Sequence, residues 1–429
     1  MWIKKWVSDK YIKYKKIKFV RDVGWSFSAK IVFAICSILI TVIVGNYAGA
    51  SSLGIYVQVL TYYFLLTILC TFGVDSSILK HIAEIDDNRD KGKLLIAAMI
   101  IVVINTSFLI FLIFFLFSFL NITIVNNEIT RGLMIVAPSF FFKSINNIYY
   151  SYFNGLRKVK LLSIIQIIEK LSITLLTVFS LFYGLDIYFV FKCIIANQIF
   201  IFILFTILIF KDLIIYFPGR FILKHLKFGY KSIVASAINQ LTVQIDVLML
   251  GYYLNNADVG IYSIASGMGL NILNFMLVFQ QNFSPIVSKH LRNNEIEKLS
   301  EKILMLKKRL KIISIIITIV LVIAFPLYVN TLYHDTIYDG SIFVFYILLV
   351  GVVFRFNYTW AGSMLTMGGY LNDNLKCVII MFFVNGLLNL ILIPTFGVQG
   401  AAIATSISFI SGILLLRYYI KKNINIEIL

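Results

Sequence analysis

Five basic residues of this chain sit inside otherwise apolar stretches: Lys30, Lys143, Lys170, Lys192 and Arg355. A charge at mid-span in a bilayer costs about 2.5–3.5 kcal/mol on insertion scales, so such residues mark cavities or pathways. Lys ammonium and Arg guanidinium groups suit one task in particular, replacing the water around the oxygens of an anionic group. Lys143, Lys170 and Arg355 lie nearest mid-span and are the first candidates for anion contacts. Lys30 lies about two turns and Lys192 about one turn from a segment end, so both can also reach interfacial water along their own stems. Lys30 stays in the candidate set.

Polar neighbours recur around these bases at helical spacing. Ser139, Lys143, Asn146, Asn147 and Tyr150 form one stripe, and Ser163, Gln166, Lys170, Thr174 and Thr177 a second. Ser232, Ser236, Asn239 and Asp246 form a third; Arg355, Tyr358, Thr359, Gly362, Ser363 and Thr366 form a fourth. Lipid does not tolerate four such stripes, so an aqueous lumen of net positive charge is expected, with Ser139, Asn146, Asn147, Gln166, Asn239 and Tyr358 on its wall. The competing reading is a set of interhelical hydrogen bonds and buried ion pairs, for instance Glu169 neutralising Lys143 or Arg355. Buried acids are fewer: Glu169, Asp246 and Asp75. Glu169 and Asp246 are the candidates for coupling to protons or sodium.

The elements that must position these residues follow from composition. Of 429 residues 60% are hydrophobic and only 14% charged, with a mean hydropathy of +0.91. An ordinary soluble chain carries about 25% charged residues, so most of this surface must meet lipid. Twelve apolar segments are predicted, near 23–45, 53–79, 94–120, 132–152, 161–183, 187–210, 229–251, 259–287, 312–329, 341–367, 375–393 and 398–420. Unbroken runs such as Ile96 to Leu120 exclude the short alternating strands of a barrel. The expected fold is therefore an all-α polytopic membrane protein.

Thirty-two of the 38 basic residues fall in the termini and alternate loops, and one, Arg131, in the loops of the other side. By the positive-inside rule both termini are expected in the cytoplasm. The net charge of +18 is then a topology signal with attraction to anionic lipid, and no nucleic acid is needed to explain it. Trp2, Ile3, Trp6, Tyr11, Tyr14 and Ile17, set among lysines, suit an interfacial helix as well as they suit a plain topogenic tail. The first apolar run is too long for a signal-peptide core and no cleavage site follows, so it is expected to stay.

Cys36, Cys70, Cys193 and Cys377 are scattered in apolar runs, and His81, His225, His290 and His334 are equally dispersed, so neither a disulfide framework nor a metal site is implied. No phosphate-binding glycine loop appears. The longest loops opposite the basic side, about 121–131 and 330–340, offer only Glu128, His334, Asp335 and Asp339 as titratable groups for catalysis. An enzyme is not expected, and no cofactor is called for.

An internal duplication shows in GNYAGASSLGIY (Gly45 to Tyr56) and GYYLNNADVGIY (Gly251 to Tyr262), offset by 206 residues. Lys80-His81 and Lys289-His290 follow at similar places, and Leu181 to Lys192 parallels Ile393 to Ala404. Six plus six helices in parallel orientation follow from that pattern. The hairpin Gly45 to Tyr56, Phe72-Gly73 with Asp75, FNGLRKVKLL (Phe153 to Leu162), NFSP (Asn282 to Pro285) and GVQGAAIATS (Gly397 to Ser406) together resemble the Wzx-type O-antigen and polysaccharide flippases of the multidrug/oligosaccharidyl-lipid/polysaccharide (MOP) exporter superfamily.

That resemblance implies two six-helix bundles around a central cavity, rocking between inward-open and outward-open states. The cargo it implies is an undecaprenyl-pyrophosphate-linked oligosaccharide repeat unit moved from the inner to the outer leaflet of a bacterial plasma membrane, with a polysaccharide polymerase and a chain-length regulator as neighbouring partners. Lys143, Lys170, Arg355 and Lys30 would then contact the pyrophosphate or acidic sugars. The corresponding division is a basic N-terminal segment (1–22), a first bundle (23–210), a linker (211–228), a second bundle (229–420) and a tail (421–429). A MATE-like drug or cation antiporter shares the architecture, but would be expected to offer acids and aromatics to its substrate, whereas buried bases here outnumber buried acids.

Overall fold

The computed structural model describes residues 2–210, 219–293 and 295–427, with side chains for most positions from Arg21 onward. The lysine-rich stretch before Arg21 is helical backbone, and its side chains lie outside the described residues, as do those of Asn282 and Pro285. Thirteen helices follow one another: α1 (Trp2–Thr71), α2 (Val74–His81), α3 (Asn88–Phe114), α4 (Asn127–Val136), α5 (Ser139–Gly155), α6 (Val159–Phe182) and α7 (Ile187–Ile209) in the N-terminal half; then α8 (Gly219–Tyr253), α9 (Asn256–Arg292), α10 (Ile296–Leu332), α11 (Gly340–Tyr358), α12 (Ala361–Met367) and α13 (Leu371–Ile424). No strand occurs among the described residues. Nine helical stretches among them are long and apolar enough to cross a membrane, which makes the chain a multi-pass membrane protein.

The predicted segments fall on these helices unevenly. The first two both lie on α1, which runs 70 residues and breaks at Gly49 (φ 83°, ψ 169°), a backbone state that a side chain would oppose. The last two both lie on α13, 54 residues long and broken at Gly397 (φ 58°, ψ −136°). The fourth segment divides at Pro138 into α4 and α5, and the tenth into α11 and α12. Two boundaries need correction. The second segment ends at Thr71, because Phe72 and Gly73 both take positive φ, and the chain restarts as α2. The expected linker 211–228 is helical from Gly219 onward as the first turns of α8, while 211–218 lie outside the described residues.

The end of the molecule that carries the lysine-rich loops is called here the basic end, and the opposite one the far end. Buried apolar side chains divide accordingly. At the far end one cluster draws on both halves, with Leu53, Val59, Ile129 and Phe191 against Val259, Tyr262, Val344 and Ile393. Toward the basic end the halves have separate clusters: Ile78, Leu95, Tyr152 and Phe205 in one, Val287, Leu299, Trp360 and Ile420 in the other. Burial of apolar area is the main favourable term in association, so the halves are held together chiefly at the far end, and below it the first turns of α8 cross over, adding Phe221 to the N-terminal cluster. α1 is the hinge post between them, lying along α6 of its own half and α9 of the other. On the outside, Ile312, Ile316, Ile319, Ile323 and Leu327 of α10 form an exposed apolar stripe that only lipid can cover.

Candidate central cavity

Between the halves lies a cavity of about 620 Å³, lined from α1, α6, α8, α9, α11 and α13. Its bases come from both halves: Lys30 and Lys170 from the N-terminal one, Arg355 from the C-terminal one. The Lys170 Nζ stands 4.5 Å from the centroid of the Phe33 ring, and the Arg355 guanidinium carbon 4.3 Å from that of Phe409. A ring face partly replaces lost hydration without neutralising the charge. Among the described residues neither Lys170 nor Arg355 has a carboxylate partner.

Asp246 is the one acid on the wall among the described residues, and its oxygens are already engaged. Asn385 Nδ2 and Asn389 Nδ2 donate to Oδ1, each at 2.9 Å, while Tyr262 OH (2.7 Å) and Thr405 Oγ1 (2.5 Å) donate to Oδ2. Four donors converging on one carboxylate stabilise its charge with no cation in the set. Gln240 and Gln244 add polar wall, the latter accepting from Thr61 Oγ1 at 3.1 Å across the interface.

Lys143 lies elsewhere. Its Nζ is 2.9 Å from Glu169 Oε1, with the two side chains only 18% and 17% exposed. Glu169 also accepts from Tyr150 OH (2.6 Å) and Gln198 Nε2 (3.0 Å), and Asn146 Nδ2 donates to the Gln198 side chain at 3.1 Å. The stripe on α5 therefore turns toward α6 and α7 inside its own half, unlike the lumen-facing orientation expected from the sequence. Ser139 is buried and bonds back to Val136 O at the end of α4, Asn147 is half-buried on α5, and Gln166 is exposed. Asn239 is exposed, and the Tyr358 ring lies tilted against that of Phe354, their centroids 5.5 Å apart. None of these six is among the described residues on the cavity wall, which α8 lines through Gln240, Gln244 and Asp246. Facing direction is a tertiary property, and a polar stripe serves a neighbouring helix as readily as a lumen. Asn385, Asn389 and Thr405 are not among the residues singled out from sequence, although two asparagines one turn apart in an apolar run are a signal of a polar contact.

The far end of the cavity is sealed by backbone. A Cβ on Gly54 would lie 1.7 Å from the Asn256 carbonyl oxygen, and one on Gly260 would lie 2.4 Å from that of Ala50. Asn256 is a knot of bonds: its Oδ1 accepts from Gln58 Nε2 (2.9 Å) and Asn126 Nδ2 (3.3 Å), and its Nδ2 donates to Glu128 at 2.6 Å. At the basic end, His225 bridges Ser77 Oγ (2.9 Å) and Leu94 O (3.0 Å), fixing the first turns of α8 on the N-terminal half. Each half also carries a His–Glu pair there, His81 with Glu84 at 2.9 Å and His290 with Glu295 at 2.7 Å. The hydrogen bond with His81 holds the Glu84 carboxyl below its ordinary range, and Lys298, then His290, do the same for Glu295.

A two-half helical membrane protein with a net-cationic chamber between its halves is a transporter by architecture. The family model for polysaccharide biosynthesis proteins matches residues 19–291. The chain belongs to that family, whose members are MOP-type transporters and flippases. Among solved structures it is similar to "Lipid II flippase MurJ, inward closed conformation" (TM-score 0.76, 18% identity, 94% of this chain and 87% of that one). It is similar also to the inward-facing conformation of a multidrug resistance MATE family transporter (0.74, 14%, 92% and 96%) and to an outward-facing conformation of such a transporter (0.59, 15%, 93% and 97%). No curated protein sequence matches the chain.

Proposed function

We propose that this protein is a flippase that moves an undecaprenyl-pyrophosphate-linked oligosaccharide repeat unit from the inner to the outer leaflet of a bacterial plasma membrane, for O-antigen or capsule synthesis. In this reading twelve spans form two six-helix halves that alternate access, with the basic end and both termini cytoplasmic. The carrying observation is the placement of Lys30, Lys170 and Arg355, from opposite halves, on one chamber whose single described acid is saturated with donors. An anion bridging bases of both halves lowers the free energy of closing them around it. The far-end seal and the separate cores below it support an inward-facing state, ready to load from the cytoplasmic leaflet.

The membrane potential favours the direction. Each negative charge moved outward across an inside-negative membrane gains about 2.3 kcal/mol per 100 mV. Asp246, Tyr262, Asn385, Asn389 and Thr405 are the group on which proton or sodium coupling would rest, with Glu169 the weaker candidate because Lys143 already pairs with it. A MATE-like antiporter for organic cations is the second reading, and the excess of bases on the wall weighs against it.

The test is accumulation of undecaprenyl-linked sugar in cells lacking the chain, with rescue by wild type and by Lys170→Ala and Arg355→Ala at matched expression. Clearance by wild type and failure of the variants supports the function together with its site. Normal surface polysaccharide with no accumulation would bring the antiporter forward. Lys143→Ala belongs in the same series as the base expected to act through folding.

A further inference from the structure

A second cavity, about 670 Å³, opens at the far end of the N-terminal half between the loop after α3, helix α4 and the start of α7. Two bases stand on its wall, Arg131 and Lys192, with Asn121, Thr123 and Asn127 beside them and Phe117 at its floor. Arg131, on α4, is the one basic residue that falls between the predicted spans on this side, so its presence here is not part of a diffuse charge. Its guanidinium carbon lies 4.3 Å from the Tyr188 ring centroid, which orients the group without neutralising it. Neither base has a carboxylate partner among the described residues. The acid nearest in sequence, Glu128, is instead taken by Asn256 Nδ2 at 2.6 Å.

The backbone around this cavity is unusual in three places. Directly after α3 the helix widens into a π-turn over Phe115–Phe119, a form frequent at functional sites. Asn121 (φ 50°) and Val125 (φ 59°) are left-handed, and for a β-branched residue that state is a true outlier, held only where the surroundings enforce it. The rim exposes Phe119, Leu120 and Ile122, an apolar edge beside the charged pocket that fits the boundary of headgroups and acyl chains. The loop also reaches the central seal, since Asn126 caps α4 at Ile129 N (2.9 Å) and donates to Asn256 Oδ1.

We propose that this cavity is a binding site for a lipid-borne phosphate group at the far face of the membrane. Arg131 and Lys192 engage the phosphate oxygens, Asn121, Thr123 and Asn127 the adjoining hydroxyls, and the apolar rim lies along the lipid chain. Two sources share this chemistry, a phospholipid headgroup and the headgroup of a polyprenyl-linked cargo that has crossed; only the second rests on the flippase reading.

Full-length protein in detergent is titrated with phosphatidylglycerol, undecaprenyl phosphate or diacylglycerol and read by native mass spectrometry. Wild type is compared with Arg131→Gln, Lys192→Gln and the double variant, in a Lys30→Gln/Lys170→Gln/Arg355→Gln background that removes the bases of the central cavity. The double variant is expected to lose about tenfold in affinity for a phosphorylated lipid and nothing for diacylglycerol, with Arg131→Lys retaining most of the binding. Lys192→Gln alone, at an exposed position, covers the case in which the Arg131 variant misfolds. Loss confined to undecaprenyl phosphate identifies the cargo as the source, and loss with both lipids identifies the bilayer. Unchanged binding of both lipids overturns the site. The flippase reading fails separately, through the central-cavity variants in cells.

Discussion

Gly54 meets the backbone carbonyl of Asn256 so closely that no side chain fits between them, and the repeat-related residues, Gly260 and Ala50, make the mirror contact. Adding the 206-residue repeat offset to Gly54 gives Gly260, and adding it to Ala50 gives Asn256, so each contact exchanges its partners under the repeat. The seal at the far end is thus a pseudo-symmetric crossing of the second limb of α1 with the start of α9, made by the duplicated motif itself. Asn256 carries further bonds from Gln58 and Asn126 and to Glu128, so the crossing is reinforced by side chains on three elements.

Gly54→Ala and Gly260→Ala should each disfavour this sealed state, since forcing extra volume into a close contact costs about 1–3 kcal/mol. Spin labels on cysteines replacing Tyr47 and Tyr252, both exposed at the far end, report the change as a shift toward longer distances. An unaltered distance distribution in both variants would show that the crossing does not hold the gate.

The Lys143–Glu169 pair should behave as structure. Removing one member of a buried pair costs about 3–5 kcal/mol, because the other charge is left uncompensated. Thermal unfolding of the purified protein is expected to show Glu169→Gln well below wild type and the Lys143→Met/Glu169→Gln double variant above the single one. A double variant destabilised by the sum of the Lys143→Met and Glu169→Gln effects would mean that the charges do not interact.

Arg355 should be sensitive to geometry as well as to charge. Arg355→Gln is expected to slow clearance of lipid-linked sugar by about 10- to 100-fold, the range for losing a charge-assisted contact. Arg355→Lys should recover only part of it, because an ammonium group lacks the planar fork. Full recovery with lysine would show that a point charge suffices.

Asp246→Asn would replace one of the two acceptor oxygens with an amide NH₂, aimed at two of the four donors that now converge on the carboxylate. The variant should lose about 1–3 kcal/mol of stability from unmatched polar groups. Transport assayed with and without a sodium or proton gradient should lose its gradient dependence. A gradient response equal to wild type in the folded variant removes Asp246 from any coupling role.

Acid should loosen the basic end first. Glu84 and Glu295 have carboxyls held below their ordinary range, so the stability they add is present above the unfolded-state value, about 4.3, and is lost as pH falls through the depressed native one. Between about pH 5 and pH 3 the melting temperature of wild type should fall more steeply than that of Glu84→Gln/Glu295→Gln. Parallel curves would assign the acid response to other groups.

Much of this protein is written along the chain. Long apolar runs of helical length, a one-sided distribution of lysines and a repeated Gly-Ile-Tyr motif determine a helical membrane protein built from related halves, because span length and charge placement are local quantities. Gly49 and Gly397 also mark their own turns, since their conformations suit glycine. The facing of each helix is different in kind. Lys143 and Lys170 sit in similar polar stripes, yet one pairs with Glu169 inside the N-terminal half and the other stands on the chamber wall without an acid. Likewise Asp246 drew its partners from α9 and α13, up to 159 residues away in the chain. Periodicity fixes which residues share a helix face, but only the packing of one helix against another decides whether that face meets a neighbour, lipid or water.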